Sequence, residues 1–347
     1  MNSERKLFRR RRLQSNIATA TIASLVLIGS LGGYAYGSQS SKGPWNLIPF
    51  TSMAVPTSLS CSSPKFCVVT TDTGHALIFD GRSWSESGQL AAMLMSISCP
   101  TAGYCVAVEY PDGSGLDSGL IKLQGGRWSH PYLYPGTQSL NSVSCSSNTY
   151  CVGADGNGGV SVFNGNSWTS RVQVDGLGNP DLTDTGFVSI SCSKLRFCAG
   201  VDNNGGVVVY RNGKWGTPVA LTAAPSDPSF DVFRTPQSIS CFGVSFCATG
   251  DQYGNAYVFN GTSWKTFPKA DSYSFNTVSC PTRTLCLAGD GGTSYSSLVG
   301  RILKFNGTHW APPSQKDGNG QYLDVSCSSA TFCLGIDASG TVFRLVG

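Results

Sequence analysis

Cysteine is the residue whose spacing in this sequence points most directly to chemistry. The chain has 14 cysteines, which fall into seven pairs with five residues between the partners: Cys61/Cys67, Cys99/Cys105, Cys145/Cys151, Cys192/Cys198, Cys241/Cys247, Cys280/Cys286 and Cys327/Cys333. Five intervening residues make a short hairpin loop that brings two Cβ atoms within disulfide range, whereas zinc sites use other spacings and more ligands. The pattern predicts seven structural disulfides, each contributing about 2–2.5 kcal/mol in the chain-entropy model.

A carboxylate follows the second cysteine of every pair. Asp72 follows by five residues, and the other six follow by four: Glu109, Asp155, Asp202, Asp251, Asp290 and Asp337. A ring of such acids could hold calcium or meet sugar hydroxyls and cationic groups. Alternatively, each acid caps its own turn through a side-chain to backbone hydrogen bond, which the Gly or Asn after most of them favours. The sequence therefore predicts turn caps first, a ligand-binding ring second, and no required cofactor or metal.

Four irregular segments break the repeat, and a specific binding site is expected there because loops on a rigid scaffold are where binding usually resides. They span residues 109–118, 171–188, 217–236 and 290–298. Besides the acids above, their candidate contact residues are Asp112, Asp117, Asp175, Asp181, Asp184, Phe230, Arg234 and Tyr295.

Catalysis is not expected from these residues. The chain has three histidines at non-repeating positions, and it lacks a Ser-His-Asp arrangement, a phosphate-cradling loop and a metalloprotease motif. Paired carboxylates such as Asp181 and Asp184 could serve a glycosidase. A glycan-acting hydrolase or lyase is therefore the alternative to a protein without enzymatic activity.

The elements that position these residues repeat with the cysteines. First cysteines recur every 38 to 49 residues, a period typical of propellers and helical arrays. Stretches such as Ser96-Ile-Ser-Cys99 alternate with a period of two, which predicts strands. Each repeat continues through a strand at the second cysteine and a third strand, which in the first six repeats ends in pairs such as Asp80-Gly81 and is followed by a strand that begins at a tryptophan. We name these strands A to D, and the Asp-Gly and Asn-Gly pairs predict two-residue C–D hairpin turns.

The two ends of the chain predict how the repeats close. The seventh repeat stops at Gly347 without its tryptophan strand, while Trp45 stands alone before the first cysteine pair. The C–D turns are short and the stretch from tryptophan to the next cysteine varies, as expected for turns within a unit and loops between units. The sequence thus predicts an all-β, seven-bladed β-propeller with four antiparallel strands and one disulfide per blade. The strand around Trp45 completes the seventh blade, and the propeller is expected to be a monomer.

The repeats resemble the propeller repeats of secreted and cell-surface bacterial proteins, and are broadly similar to YVTN, WD and sialidase-type repeats. The resemblance rests on blades that read S-[VI]-S-C-x4-[FY]-C followed by [FY]-N-G-x-x-W, and it covers about Trp45 to Gly347. It implies the propeller fold and an exported protein, and it implies no particular ligand.

The N-terminal segment predicts export. Residues 1–16 are basic, 17–37 are apolar and without charge, 38–44 form a short linker, and 45–347 form the propeller. The apolar stretch Ile17–Tyr36 fits either a cleaved signal peptide or a membrane anchor, and it is the only segment expected to contact a membrane. From Ser38 onward 18 basic residues face 19 acidic ones, so nucleic acid is excluded as a partner.

These features predict an extracytoplasmic protein, secreted or held at the cell surface. We expect it to bind a glycan, an envelope polymer or a protein through the face that carries the B–C and D–A loops. The remaining alternative is a passive structural module, for which changes in the loops would have no effect.

Overall fold

Seven antiparallel sheets of four or five strands make up the protein, as the sequence predicts. The structure is a computed structural model and describes residues 45–48, 54–110, 119–129, 132–133, 139–175, 186–194, 197–221, 235–291, 300–314 and 320–345. In the described part of the chain no helix is long and apolar enough to cross a membrane. The segment Ile17–Tyr36 lies outside the described residues.

Each sheet is one blade, and in blades 1 to 6 the strands follow one another from the centre outward in chain order. Blade 1 contains β2 (Pro56–Ser63), β3 (Phe66–Thr71), β4 (His75–Phe79) and β5 (Trp84–Gln89). Blade 2 contains β6 (Leu94–Thr101), β7 (Tyr104–Glu109), β8 (Gly119–Gln124), β9 (Arg127–Trp128) and β10 (Tyr132–Leu133). Blade 3 contains β11 (Leu140–Ser147), β12 (Tyr150–Asp155), β13 (Gly159–Phe163) and β14 (Val172–Gln173). Blade 4 contains β15 (Phe187–Lys194), β16 (Phe197–Asp202), β17 (Gly206–Arg211), β18 (Lys214–Trp215) and β19 (Val219–Ala220).

The last three blades follow the same order. Blade 5 contains β20 (Pro236–Cys241), β21 (Cys247–Asp251), β22 (Ala256–Phe259) and β23 (Trp264–Phe267). Blade 6 contains β24 (Phe275–Thr282), β25 (Leu285–Asp290), β26 (Ile302–Phe305) and β27 (Trp310–Ser314). Blade 7 contains β28 (Tyr322–Ser329), β29 (Phe332–Asp337), β30 (Val342–Leu345) and the N-terminal strand β1 (Trp45–Ile48).

Strand β1 closes the ring as the sequence predicts. It pairs antiparallel with β30, with Trp45 opposite Leu345 and Ile48 opposite Val342. The inner strands contact one another in a closed circle, from β2 through β6, β11, β15, β20, β24 and β28 back to β2. The first and last parts of the propeller are therefore held in the same sheet.

The apolar core lies between neighbouring blades. Val68 of blade 1, for example, packs in one cluster with Leu94 and Ile97 of blade 2. Leu59 of blade 1 shares another cluster with Phe332 and Ile336 of blade 7. Because the B strands are buried along nearly their whole length, both faces of each blade contribute to this core.

All seven predicted disulfides form, one in each blade, and each joins strand A to strand B. The bonded pairs are Cys61–Cys67, Cys99–Cys105, Cys145–Cys151, Cys192–Cys198, Cys241–Cys247, Cys280–Cys286 and Cys327–Cys333. No free cysteine remains in the chain. Seven intrachain disulfides fit an oxidising, extracytoplasmic environment.

The cysteines do not flank a five-residue loop, and this part of the prediction is wrong in six blades. There the two strands continue pairing beyond the disulfide, as Ser63 does with Phe66, so that the turn itself holds only two residues. The second cysteine of every pair is consequently a core residue of strand B with no exposed surface: Cys67, Cys105, Cys151, Cys198, Cys247, Cys286 and Cys333. Because strand B is covered by the neighbouring blades on both faces, these cysteines contribute to packing as well as to the crosslink, and no ligand can reach them.

The serines of the S-[VI]-S-C pattern join each blade to the next. The second serine accepts the backbone N–H of the next blade's first cysteine at 2.8–3.0 Å, and this contact runs around the whole ring: Ser60 to Cys99, Ser98 to Cys145, Ser144 to Cys192, Ser191 to Cys241, Ser240 to Cys280, Ser279 to Cys327 and Ser326 to Cys61. The alternation of the sequence predicts the strand but does not predict this contact between blades.

A second ring of contacts uses the first residue of the same pattern. It is serine in five blades, Thr277 in blade 6 and Asp324 in blade 7, and each accepts a backbone N–H from the next blade. Asp324 makes more contacts than the others: it accepts the Leu59 N–H at 2.8 Å and the Thr277 hydroxyl at 2.9 Å. Asp324 thus links blades 6, 7 and 1 where the ring closes.

Replacing Asp324 with alanine is expected to destabilise the protein by about 1–3 kcal/mol, because the Leu59 N–H and the Thr277 hydroxyl lose a largely buried acceptor. Asp324→Ser restores the hydroxyl that five other blades carry here and should stay within about 1 kcal/mol of the parent. Denaturant unfolding of the oxidised proteins measures both. Equal stability of the alanine and serine variants would contradict this role of the carboxylate.

The predicted two-residue C–D turn is correct in two blades and wrong in four. In blades 2 and 4 both central residues have positive φ, as at Asn212 and Gly213, and the flanking strands pair directly across them. In blades 1, 3, 5 and 6 the turn holds four residues, as between Phe79 and Trp84. The Asp80 carboxylate accepts the backbone N–H groups of Arg82 and Ser83 at 2.8 Å, and these hydrogen bonds stabilise the longer turn.

The tryptophans pack within the outer part of each blade. In five blades the tryptophan lies against an aromatic residue near the end of strand C, with ring centroids 5.1–5.6 Å apart in the pairs Phe79–Trp84, Phe163–Trp168, Tyr210–Trp215, Phe259–Trp264 and Phe305–Trp310. Such pairs stabilise the hairpin beyond their buried area. Trp128 of blade 2 instead lies opposite Leu123, and Trp45 of blade 7 lies opposite Leu345. The tryptophans are therefore structural residues.

Candidate binding face

The two faces of the propeller differ in the length of their connections. On one face the A–B and C–D turns are short in the described blades. On the other, which we call the loop face, the B–C and D–A connections lie. Four of these are long, from Glu109 to Gly119, Gln173 to Phe187, Ala220 to Pro236 and Asp290 to Ile302. The long connections therefore start and end on one face of a regular scaffold, which is where binding loops are commonly found.

Two of the predicted loops are shorter than expected. The segment 171–188 contains β14 and the start of β15, and the segment 217–236 contains β19. These strands are pieces of an outer strand that is interrupted, in blade 4 by Gly216 and Pro218. Because each piece has only two residues, the sequence shows no alternation there.

The repeated acids end their B strands at the loop face, as predicted, and they cap turns. One carboxylate oxygen accepts two backbone N–H groups of the turn that follows, at 2.7–3.0 Å. Asp155 does so from Asn157 and Gly159, and Asp202, Asp251 and Asp337 do the same in their blades. These four acids are at most 1% exposed. The capping interpretation therefore accounts for their place in the repeat.

Two of the other acids, Asp72 and Glu109, contact the chain that enters their blade, and the third, Asp290, spans its own B–C connection. The Asp72 carboxylate accepts the Val55 N–H at 2.9 Å, and Glu109 accepts the Ala92 N–H at 3.3 Å. Asp290 accepts the Arg301 N–H at 2.7 Å across the long B–C connection. The acid thus fixes a connection in every blade, whatever the length of the loop.

The second oxygens of these carboxylates differ from blade to blade. Asp155 pairs with Arg171 at 2.5 Å, and Asp251 accepts the Tyr257 hydroxyl at 2.8 Å. No donor reaches the second oxygen of Asp202 within the described part of the chain. The variation shows that the capping oxygen, not the second oxygen, is the repeated feature.

Arg301 holds two buried carboxylates on the loop face. Its guanidinium lies 2.6 Å from the Asp290 carboxylate of its own blade and 2.5 Å from that of Asp271 in blade 5. The guanidinium also lies over the Tyr273 ring at 4.5 Å. Burial raises the pKa of Asp290 to about 6, although the hydrogen bonds and the charge of Arg301 act in the opposite direction. Arg301 therefore joins two blades by compensating two buried acids.

Of the eight candidate contact residues in the irregular segments, the structure describes only Asp175. Asp175 is 2% exposed and donates its backbone N–H to the Gly158 carbonyl, so it lies at the exit of blade 3 beside the B–C turn. Asp112, Asp117, Asp181, Asp184, Phe230, Arg234 and Tyr295 lie outside the described residues. The residues that sequence reasoning missed are Arg171, Arg301 and Asp271, because their partners come from distant positions.

The described residues hold no assembled metal site, and His75, one of the three histidines of the chain, has no hydrogen-bonded carboxylate. Within this described part of the chain, no group of three or more His, Cys, Asp or Glu side chains is placed to hold a metal ion. His75 lies 3.1 Å from the Thr73 hydroxyl, but its other ring nitrogen is 3.9 Å from Glu86, beyond hydrogen-bond distance.

Comparisons with known proteins identify the fold. No protein-family model matches the chain, and no curated protein matches it in sequence. Among solved structures, it is similar to YCF48 bound to D1 peptide, with a TM-score of 0.66, 13% identity, and coverage of 88% of this chain and 97% of the other. YCF48 from Cyanidioschyzon merolae gives a TM-score of 0.64 and 14% identity over 87% of this chain and 98% of the other. U3-55K gives a TM-score of 0.66 and 11% identity over 87% and 98%. At these identities the similarity establishes the seven-bladed propeller fold.

Proposed function

We propose that the protein is an extracytoplasmic propeller that binds a protein partner through the loop face. One observation carries the proposal: the four long connections all begin and end on this face, while the opposite face has only short turns in the described blades. The binding contacts belong to the connections of blades 2, 3, 4 and 6.

The scaffold beneath the loop face is rigid, which favours binding by the loops. Two rings of inter-blade hydrogen bonds and seven disulfides hold the inner strands. A fixed scaffold lowers the ordering entropy that binding must overcome. The repeated acids contribute to this rigidity as turn caps, so the specific contacts come from the residues that break the repeat.

A protein partner is favoured over a glycan or envelope polymer by the comparison with a propeller that was solved with a D1 peptide bound. In our proposal Asp112, Asp117, Asp181, Asp184, Phe230, Arg234 and Tyr295 supply contacts from the four connections. Aromatic and arginine side chains are frequent at the centres of protein interfaces, and carboxylates set charge complementarity. The N-terminal segment exports the propeller and either anchors it at the cell surface or is removed.

The proposal is tested by selecting peptides from a displayed library against the oxidised chain Ser38–Gly347. A loop variant carries Asp at position 109 and replaces residues 110–118 with Gly-Asn-Gly, which reproduces the short turn that follows Asp155 in blade 3. The expected result is saturable binding that weakens at least about tenfold in this variant or in one with a shortened 174–186 connection.

A matched control exchanges turns on the opposite face. Residues Asn164–Ser167 are replaced by the sequence of Asp80–Ser83, which caps the same kind of turn in the same way. This change should leave the peptide affinity within about twofold of the parent. Binding that survives both loop changes, or that the control abolishes, would contradict the loop face as the binding surface.

A further inference from the structure

The exposed charges of blades 5 and 6 are all basic in the part of these blades that the structure describes. Lys265, Lys269, Arg283 and Lys304 are exposed, whereas all three acids, Asp251, Asp271 and Asp290, are buried. Blade 1, by contrast, exposes Glu86 and Asp80 beside its basic residues. The described parts of blades 2, 4 and 7 also expose only basic charges, such as Arg211 and Lys214 of blade 4, so blades 5 and 6 are distinguished by where their lysines lie.

A cleft opens between the outer strands of blades 5 and 6, and the exposed Lys265 and Lys269 line it. Its volume is about 560 Å³, and its lining includes Lys265, Lys269, Arg301, His309, Phe267 and Trp310. The Lys265 ammonium lies over the Phe267 ring at 4.7 Å. The cleft therefore combines cationic groups with aromatic walls.

The acid in the cleft wall does not cancel its positive charge. Asp271 lines the cleft but is only 4% exposed, and its carboxylate binds Arg301 at 2.5 Å. Arg301 in turn pairs with Asp290. Arg301 neutralises one of the two carboxylates, so one buried negative charge remains, and the exposed Lys265 and Lys269 give the cleft a net positive charge.

Lys269 adopts a backbone conformation that ordinary side chains avoid. Its φ is +49°, and it shares positive φ among the described non-glycine residues only with Asn212, which lies in a hairpin turn. Its N–H donates to the Asn255 side chain, and its ammonium donates to the Tyr253 carbonyl, both at 3.0 Å. Lysine in the left-handed region of φ is strained, whereas glycine would adopt this conformation without strain. Backbone strain of this kind is typical of functional positions.

We propose that this cleft binds an anionic saccharide, a sugar that carries a carboxylate or sulfate group. The two lysines bind the anion, and the half-buried Phe267 ring packs against the sugar ring. A concave cleft suits a saccharide unit better than a membrane surface, which needs a flat or convex basic face. The site lies on the outer wall and does not depend on binding at the loop face.

The test measures binding of a galacturonic-acid hexamer and a heparin hexasaccharide to the oxidised chain Ser38–Gly347. The cleft variant is the double variant Lys265→Gln, Lys269→Gln. Its control is the double variant Lys65→Gln, Arg82→Gln, which changes the charge equally at exposed residues of blade 1. At least one of the acidic sugars is expected to bind saturably and to lose about fivefold or more in affinity in the cleft variant only. Raising NaCl from about 0.05 to 0.5 M should weaken this binding.

The Lys269→Gly variant separates the binding role of the Lys269 side chain from the effect of its backbone conformation on stability. Glycine adopts the left-handed conformation without strain, so Tm should rise by about 1–2 °C while the affinity for the acidic sugar falls. Equal binding by the cleft variant and the control pair overturns the proposal, as does binding of neither acidic sugar. Tighter binding of polyglutamate, of anionic phospholipid vesicles or of neutral maltohexaose overturns it too, since it assigns the cleft another ligand.

Discussion

Replacing Arg301 with alanine is expected to lower the free energy of unfolding by about 3–5 kcal/mol near neutral pH. The guanidinium is the cation that contacts both Asp290 and Asp271, and both carboxylates are buried. Its removal leaves two buried acids without compensation at the junction of blades 5 and 6. Denaturant unfolding of the oxidised variant measures the loss, with Arg283→Ala, an exposed arginine of the same blade, as the control.

The loss at Arg301 should depend on pH. The pKa of Asp290 is raised to about 6 in the folded protein, above its unfolded value of about 3.9. A raised pKa means that this group's contribution to stability is full below about pH 4 and is lost as pH rises through about 6. Without Arg301 the charged form is penalised further, so the penalty of Arg301→Ala should shrink as pH falls from 7 to 4.

The double variant Arg301→Ala with Asp290→Asn tests this interpretation. A neutral amide at 290 removes one of the two uncompensated charges, so part of the stability lost in Arg301→Ala should return at pH 7. A penalty that is the same at pH 4 and pH 7, and that Asp290→Asn does not relieve, would show that Arg301 acts through packing alone.

Removal of strand β1 should also produce a large loss. A chain that starts at Met53 in place of Ser38 lacks the strand that pairs with β30. We expect it to be about 3–5 kcal/mol less stable, at about 1 kcal/mol for each lost hydrogen bond plus the exposed apolar surface. The free edge of β30 should also promote self-association, which analytical ultracentrifugation would detect.

A peptide of residues 43–50 added to the shortened chain provides the control for ring closure. If β1 acts by completing blade 7, this peptide should restore the stability and suppress the association, whereas a scrambled peptide should not. Equal stability of the two chain lengths would contradict ring closure by the N-terminal strand.

The architecture could be predicted because each of its signals is local and occurs in almost every blade. Cysteine spacing places the A–B turn, the S-[VI]-S-C pattern marks the inner strand, and the tryptophan marks the outer strand. Trp45 and the missing last strand predict the closure that β1 and β30 make. The acids four residues after the second cysteine were correctly placed at the ends of the B strands.

Contacts between blades could not be predicted in the same way. Ser144 and Cys192 lie 48 residues apart, and nothing in either repeat shows that the Ser144 hydroxyl accepts the Cys192 backbone N–H. Arg301 pairs with Asp271 across 30 residues for the same reason. The C–D turns illustrate a smaller error: the tryptophan lies three residues after the glycine in four-residue turns and two after it in two-residue turns, a difference visible in the sequence.

The candidate binding residues outside the repeated acids were predicted from departures from the repeat, which identify long connections but not what they contact. Two outer strands resume inside the predicted loops, because strands of two residues leave no periodic pattern. The basic cleft depends on which charges are exposed, and the sequence alone does not tell the buried Asp271 from an exposed acid.

The most direct test of binding at the loop face is the hydrogen-exchange footprint of the chain Ser38–Gly347 with a saturating library-selected peptide. We expect slower backbone exchange on binding in the connections between Glu109 and Gly119, Gln173 and Phe187, Ala220 and Pro236, and Asp290 and Ile302. The A–B and C–D turns should exchange as in the free protein. Protection confined to those turns or to the outer wall, with the four connections unchanged, would contradict the loop face as the binding surface.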